Sequence, residues 1–141
     1  MRVLDNLVPA KVFYYFEELC NIPHGSTNTK AISDYCVNFA KERGLAYHQD
    51  AENNIIILKN GSKGYEDSKP VIIQGHLDMV CEKEADCTID FEKDGLSLAI
   101  DGDYIYAEGT TLGGDDGIAV AMALAILDDD TLEHPPIEAV F

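Results

Sequence analysis

Two short segments hold the residue types from which a catalytic or metal site is made. The first is Gln74-Gly75-His76-Leu77-Asp78, directly after the β-branched run Val71-Ile72-Ile73. Residues two apart in extended backbone project to the same side, so His76 and Asp78 share a face. Imidazole is the commonest metal ligand, and its other ring nitrogen needs an acceptor to fix tautomer and orientation. Asp78 is placed to be that acceptor. The plainer alternative is a surface histidine beside a turn aspartate, since His-x-Asp recurs by chance. The second segment is Gly113-Gly114-Asp115-Asp116-Gly117. Adjacent carboxylates in a glycine loop suit a hard or borderline cation, and one carboxylate has two oxygens with which to bridge two ions. The plainer alternative is helix capping, which favours Asp near a helix N-terminus for its own reasons. Neither GxGxxG nor GxxxxGK[ST] occurs, so phosphate binding is the weaker reading of this loop.

The elements that must position these segments read as follows. Val12, Phe13, Phe16, Leu19 and Cys20 recur at helical spacing after Pro9, which predicts an amphipathic helix over 9–21. Ile32, Tyr35, Cys36, Phe39 and Ala40 predict a second helix, with Ser26 or Thr27 capping its start and Gly44 its end. Strands are expected at 45–48, 54–59, 71–74, 97–100 and 104–107, the last two joined by an Asp101-Gly102 hairpin turn. The run at 71–74 is of the kind found in buried strands. Residues 117–127 are Ala-rich and apolar nearly all round, which predicts a buried helix. Asp128-Asp129-Asp130 opposes the negative helix end, so the helix should stop near Leu127 and the run should be a solvated loop. A final strand begins at Ile137. The order of helices, strands, hairpin, helix and strand predicts a layered α/β domain of sheet and helices.

The bulk numbers set limits. The 141 residues suit one compact unit, and 46% hydrophobic residues allow a real core. With 26 acidic against 10 basic residues, the net charge of −16 argues against nucleic acid or an anionic membrane as partner. The same acidity favours solubility and would also favour cations. Cys20, Cys36, Cys81 and Cys87 form no CxxC pair, and Cys20 and Cys36 fall on apolar helical faces. No signal peptide opens the chain and no apolar run reaches membrane-spanning length, so a cytoplasmic location is expected. His24 lies in a helix-breaking loop, while His48 reads as an exposed strand edge and His134 as surface loop. Asp101-Gly102-Asp103 mimics the start of a calcium loop, but Ile105 and Ala107 occupy later ligand positions, which leaves the hairpin turn.

Taken together and in order, Val71 to Val80, Glu108 to Gly117 and His134-Pro135-Pro136-Ile137-Glu138 resemble the zinc-dependent exopeptidases, a family of carboxypeptidases, tripeptidases and aminoacyl-histidine dipeptidases. The resemblance is nearest to the Xaa-His dipeptidase (peptidase D) branch. It extends to Ile22-Pro23-His24-Gly25-Ser26 and so over nearly the whole chain. It implies that His76 is a zinc ligand, that Asp78 steadies this histidine, and that Asp115 bridges two zinc ions, for which Co2+ or Mn2+ are possible substitutes. It implies a cis Asp115–Asp116 bond and gives no ligand role to His24.

The resemblance also implies a dipeptide substrate of Xaa-His or carnosine-like type, and a homodimer for the intact protein. Residues 1–141 would then be the N-terminal part of the catalytic domain. The rest of that domain and a lid or dimerisation domain would be missing. The family's general-base glutamate, its paired Glu and further ligands fall beyond Phe141, so the chain alone is expected to be inactive. A last strand that stops without turn or cap reads as a truncation, and a cut strand would expose a sheet edge. Two rival readings remain. One is a related zinc amidohydrolase, such as a tripeptidase or aminoacylase. The other is a metal-free interaction module that keeps the fold. Exact dipeptide specificity rests on residues that follow Phe141.

Overall fold

A computed structural model describes residues 2–141. Helix α1 (Ala10–Cys20) begins after Pro9, whose missing N–H costs nothing there. It turns Tyr15, Phe16, Leu19 and Cys20 inward against a later helix, α3 (Gly114–Leu127). Helix α2 (Lys30–Glu42) buries Ile32, Cys36, Phe39 and Ala40 of the stripe that its spacing predicts, with Val37 buried beside them and Tyr35 only half-buried. Its end is as expected, since Gly44 takes the left-handed conformation (φ +63°) that closes a helix. Its start is not. The helix begins after Thr29 with no side-chain cap, while Thr27 stands outside it and the Ser26 hydroxyl is engaged elsewhere.

Strands β1 (Ala46–Gln49), β2 (Ile55–Lys59), β3 (Val71–Gln74) and β6 (Ile137–Val140) form one mixed sheet in the order β1-β2-β6-β3. The β1–β2 and β2–β6 pairs are antiparallel, and β6–β3 is parallel. Strands β4 (Leu98–Asp101) and β5 (Tyr104–Ala107) make a separate hairpin, turned at Gly102 (φ +57°). The period-2 pattern of β2 reads directly: Ile55 and Ile57 are buried, whereas Ile56 and Leu58 look outward. Ile57 sits opposite Ala139 on the packed face, and α2 and α3 cover that face. The other face is open. The whole is the layered α/β arrangement that the element order predicts.

Four further expectations are corrected. Strand β3 is not buried: it pairs with β6 alone, and Ile72 is 64% exposed on the open face. A β-branched run has the same composition at a sheet edge as at its centre, so the pattern cannot separate the two. The free edges of the sheet belong to β1 and β3, because the last strand, β6, lies between β2 and β3. His134 is not surface loop. It is buried, with its backbone N–H donating to Ser62 Oγ at 2.8 Å and its carbonyl accepting from the Ser62 N–H.

The acidic run after α3 is also not simply solvated. The helix stops at Leu127 as expected, but Asp128 pairs with Arg43 (2.5 Å) and Lys11 (3.1 Å). Lys59, buried on the inner face of β2, donates to the carbonyls of Leu127 (2.9 Å) and Asp129 (3.0 Å). Three cations thus offset the charge at the negative end of α3.

Candidate functional site

Strands β3 and β6 are parallel, so their carboxyl ends lie side by side, the usual place for a site in an open α/β sheet. His76 follows β3 by two residues. The start of α3 is brought over the same end, and a glycine makes the approach possible. A Cβ on Gly75 would stand 3.0 Å from Asp116 Oδ2 and 3.2 Å from Val120 Cγ2. On the other side Gly113 holds φ +71°, and a Cβ there would meet Met79 Sδ at 3.0 Å. The helical dihedrals are interrupted at Asp115 and Asp116, and the peptide bond between them is cis, as the resemblance implies. The carboxylates therefore act neither as N-caps nor as ordinary first-turn residues. Gly113 is the residue at the cap, and it offers no side chain.

The result brings the two sequence segments together. His76 Nε2 lies 3.1 Å from Asp115 Oδ1. Its Nδ1 lies 2.9 Å from the backbone oxygen of Asp78 and 3.2 Å from Asp78 Oδ1. Both Asp78 oxygens are acceptors, so Nδ1 bears the proton. Nε2 then faces a carboxylate oxygen, and two electron-rich atoms at this distance require a positive charge between them. With a proton there, the ring is an imidazolium. Burial acts to lower the His76 pKa, but Asp115 and Asp78 outweigh it and raise the ring above its ordinary value.

A metal ion satisfies the same geometry. Donors about 2.0–2.2 Å from a tetrahedral zinc stand roughly 3.3 Å from each other, close to the observed separation. Asp115 is open to solvent, which leaves its second oxygen accessible. A cleft of about 350 Å³ adjoins the ring and is lined in part by Asn53, Gln74, His76, Asp78 and Phe141.

Asp78 accepts a hydrogen bond from Ser26 Oγ at 2.5 Å. That hydroxyl is the leading reason its carboxyl is held below the ordinary aspartate value. Sequence reasoning gave Ser26 only a capping role; no local pattern could show its position beside Asp78, which is 52 residues away. His24 is buried, with Nδ1 2.5 Å from the Ile22 carbonyl oxygen, and burial lowers its pKa. His48 is exposed on edge strand β1, and Asp101 lies in the hairpin. Among the described residues, no group of three His, Cys, Asp or Glu side chains is arranged to hold a metal. Likewise no helix among them is long and apolar enough to cross a membrane.

Known proteins share this sequence and fold. No family model matches the chain. The chain is 42% identical over 140 residues to the cytosol non-specific dipeptidase of Escherichia coli (strain K12), covering 99% of the chain and 29% of that protein. Its structure superposes on the aminoacylhistidine dipeptidase of Vibrio alginolyticus with a TM-score of 0.94 at 39% identity, covering 97% of this chain and 28% of that one. A Staphylococcus aureus tripeptidase shares the fold, with a TM-score of 0.71 at 22% identity over 92% of this chain and 35% of that one. The chain thus spans less than a third of the length of the two dipeptidases it matches.

Proposed function

We propose that this chain, which shares sequence and fold with part of the aminoacyl-histidine and non-specific dipeptidases, supplies one side of a metal centre that hydrolyses dipeptides in the complete polypeptide. The observation that supports this most is the facing of His76 Nε2 and Asp115 Oδ1 across 3.1 Å, with the far ring nitrogen held by Asp78. The residues fit zinc. The donors are an imidazole nitrogen and a carboxylate oxygen, and the tautomer is fixed from behind, as metal-ligating histidines require.

In this reading His76 and Asp115 would hold zinc, and the solvent-open second oxygen of Asp115 would be free to serve a further ion. Zinc, when bound, supplies an activated water and a Lewis acid for the scissile carbonyl. Asp78 acts on the ring of His76, keeping the Nε2 lone pair aimed at the metal. Gly75 and Gly113 hold β3 and α3 close enough for both donors to serve one site. The general base and the remaining ligands come from other parts of the complete polypeptide, so residues 1–141 are inactive alone. They form the N-terminal part of the catalytic domain, and a lid or dimerisation domain lies elsewhere. The substrate class is a dipeptide, with Xaa-His among those accepted. The location is cytoplasmic and the assembly a homodimer.

The test is zinc affinity and dipeptide hydrolysis in the complete polypeptide and its variants. His76→Ala and Asp115→Ala should each lose both. Hydrolysis retained at the wild-type rate in either variant overturns the assignment.

A further inference from the structure

The loop between α1 and α2 is stitched to the segment that carries His76 and Asp78. The Met79 N–H donates to the His24 carbonyl (3.0 Å), and the Ser26 N–H donates to the Met79 carbonyl (3.1 Å). Gly25 and Met79 thus form an isolated parallel bridge. The Asn28 N–H closes the loop onto the Gly25 carbonyl at 2.8 Å. A Cβ at Gly25 would stand 2.7 Å from Cys81 Sγ, so a larger residue there would force the thiol aside. The backbone of Ser26 is therefore fixed on both sides, independently of its side chain. Its hydroxyl is delivered to Asp78 Oδ2, the carboxylate oxygen opposite the one near His76.

We propose that Ser26 is a positioning residue for the metal site: it locks the Asp78 carboxylate, which orients the His76 ring toward Asp115. This deepens the dipeptidase reading and rests on it. The chain of contacts is Ser26 Oγ to Asp78 Oδ2, Asp78 Oδ1 to His76 Nδ1 at 3.2 Å, beside the bond that Nδ1 makes to the Asp78 backbone oxygen at 2.9 Å, and His76 Nε2 to Asp115 Oδ1. A carboxylate held at one oxygen only can rotate about its terminal torsion, which is broad for aspartate. The Ser26 hydroxyl removes that freedom at the second oxygen. Outer partners of metal ligands typically contribute 10–100-fold in metal affinity, and Ser26, one step further out, should fall near the lower end.

The experiment measures zinc affinity of the complete polypeptide by competition with a chromogenic chelator, alongside the thermal midpoint of the metal-free protein and kcat and KM for a dipeptide. Wild type is compared with Ser26→Ala and Ser26→Thr. Ser26→Ala should weaken zinc binding about 10-fold and lower kcat more than it raises KM. The metal-free midpoint should stay within a degree or two, since Ser26 is exposed and its backbone bonds remain. Ser26→Thr, which keeps the hydroxyl, should restore affinity. Wild-type zinc affinity in Ser26→Ala overturns the positioning role while leaving the dipeptidase reading intact. So does a loss that Ser26→Thr fails to restore. A wild-type protein that neither binds zinc nor cleaves dipeptides overturns both.

Discussion

Adding one methyl group at Gly75 should disable the proposed metal site while leaving the fold in place. The Cβ of Gly75→Ala would stand 3.2 Å from Val120 Cγ2 and 3.5 Å from the Ala119 Cβ. Carbon atoms rest about 3.5–4.0 Å apart, so the Val120 side chain and the helix that carries it must give by a few tenths of an ångström. Metal–ligand distances tolerate about 0.2 Å. A shift of this size between the β3 end, which leads to His76, and the α3 start, which holds Asp115, exceeds that tolerance. Zinc affinity should therefore fall at least 10-fold. The global cost should be that of mild overpacking, about 1–3 kcal/mol. The assay pairs chelator competition with urea unfolding of the metal-free complete polypeptide. Wild-type zinc affinity in Gly75→Ala would refute the view that this close approach sets the spacing of the two donors.

Further outcomes follow from the support of α3. Lys59→Met removes the donor to the Leu127 and Asp129 carbonyls and should cost about 1–3 kcal/mol in urea unfolding. Leu124→Ala empties a fully buried site on α3 and should cost about 2–5 kcal/mol by the same measurement. At Asp128, burial alone would raise the carboxyl, but Arg43, Tyr15 and Lys11 outweigh it and hold it below the usual aspartate value. A depressed folded value means that this stabilisation is fully present above the unfolded value of about 3.9. It is lost as pH falls through the lower folded value. Asp128→Asn should thus destabilise by about 1–2 kcal/mol at pH 7, and the gap to wild type should close below that window, as read from unfolding at each pH.

Where the sequence was informative, local physics was enough. Alternation at 55–59 marks a strand with one packed face, and the stripe at Ile32, Cys36, Phe39 and Ala40 marks a helix, because each depends on the period of its own backbone. His76 and Asp78 share a face for the same reason, and Asp101-Gly102 forms its turn. What was not legible depends on partners distant in sequence. The exposure of β3 follows from its position at the sheet edge, and the burial of His134 from its pairing with Ser62. Ser26 looks like a helix cap until the loop is seen to be bridged to Met79. The meeting of His76 with Asp115 was expected from the family resemblance. The reason they can meet, the space left at Gly75 for the start of α3, appears only in three dimensions.

The most direct measurement is anomalous diffraction at the zinc absorption edge from crystals of the complete polypeptide grown with zinc. The account predicts a peak about 2.0–2.2 Å from both His76 Nε2 and an Asp115 carboxylate oxygen. A peak bound elsewhere, with His76 and Asp115 still in direct hydrogen-bond contact, would contradict it.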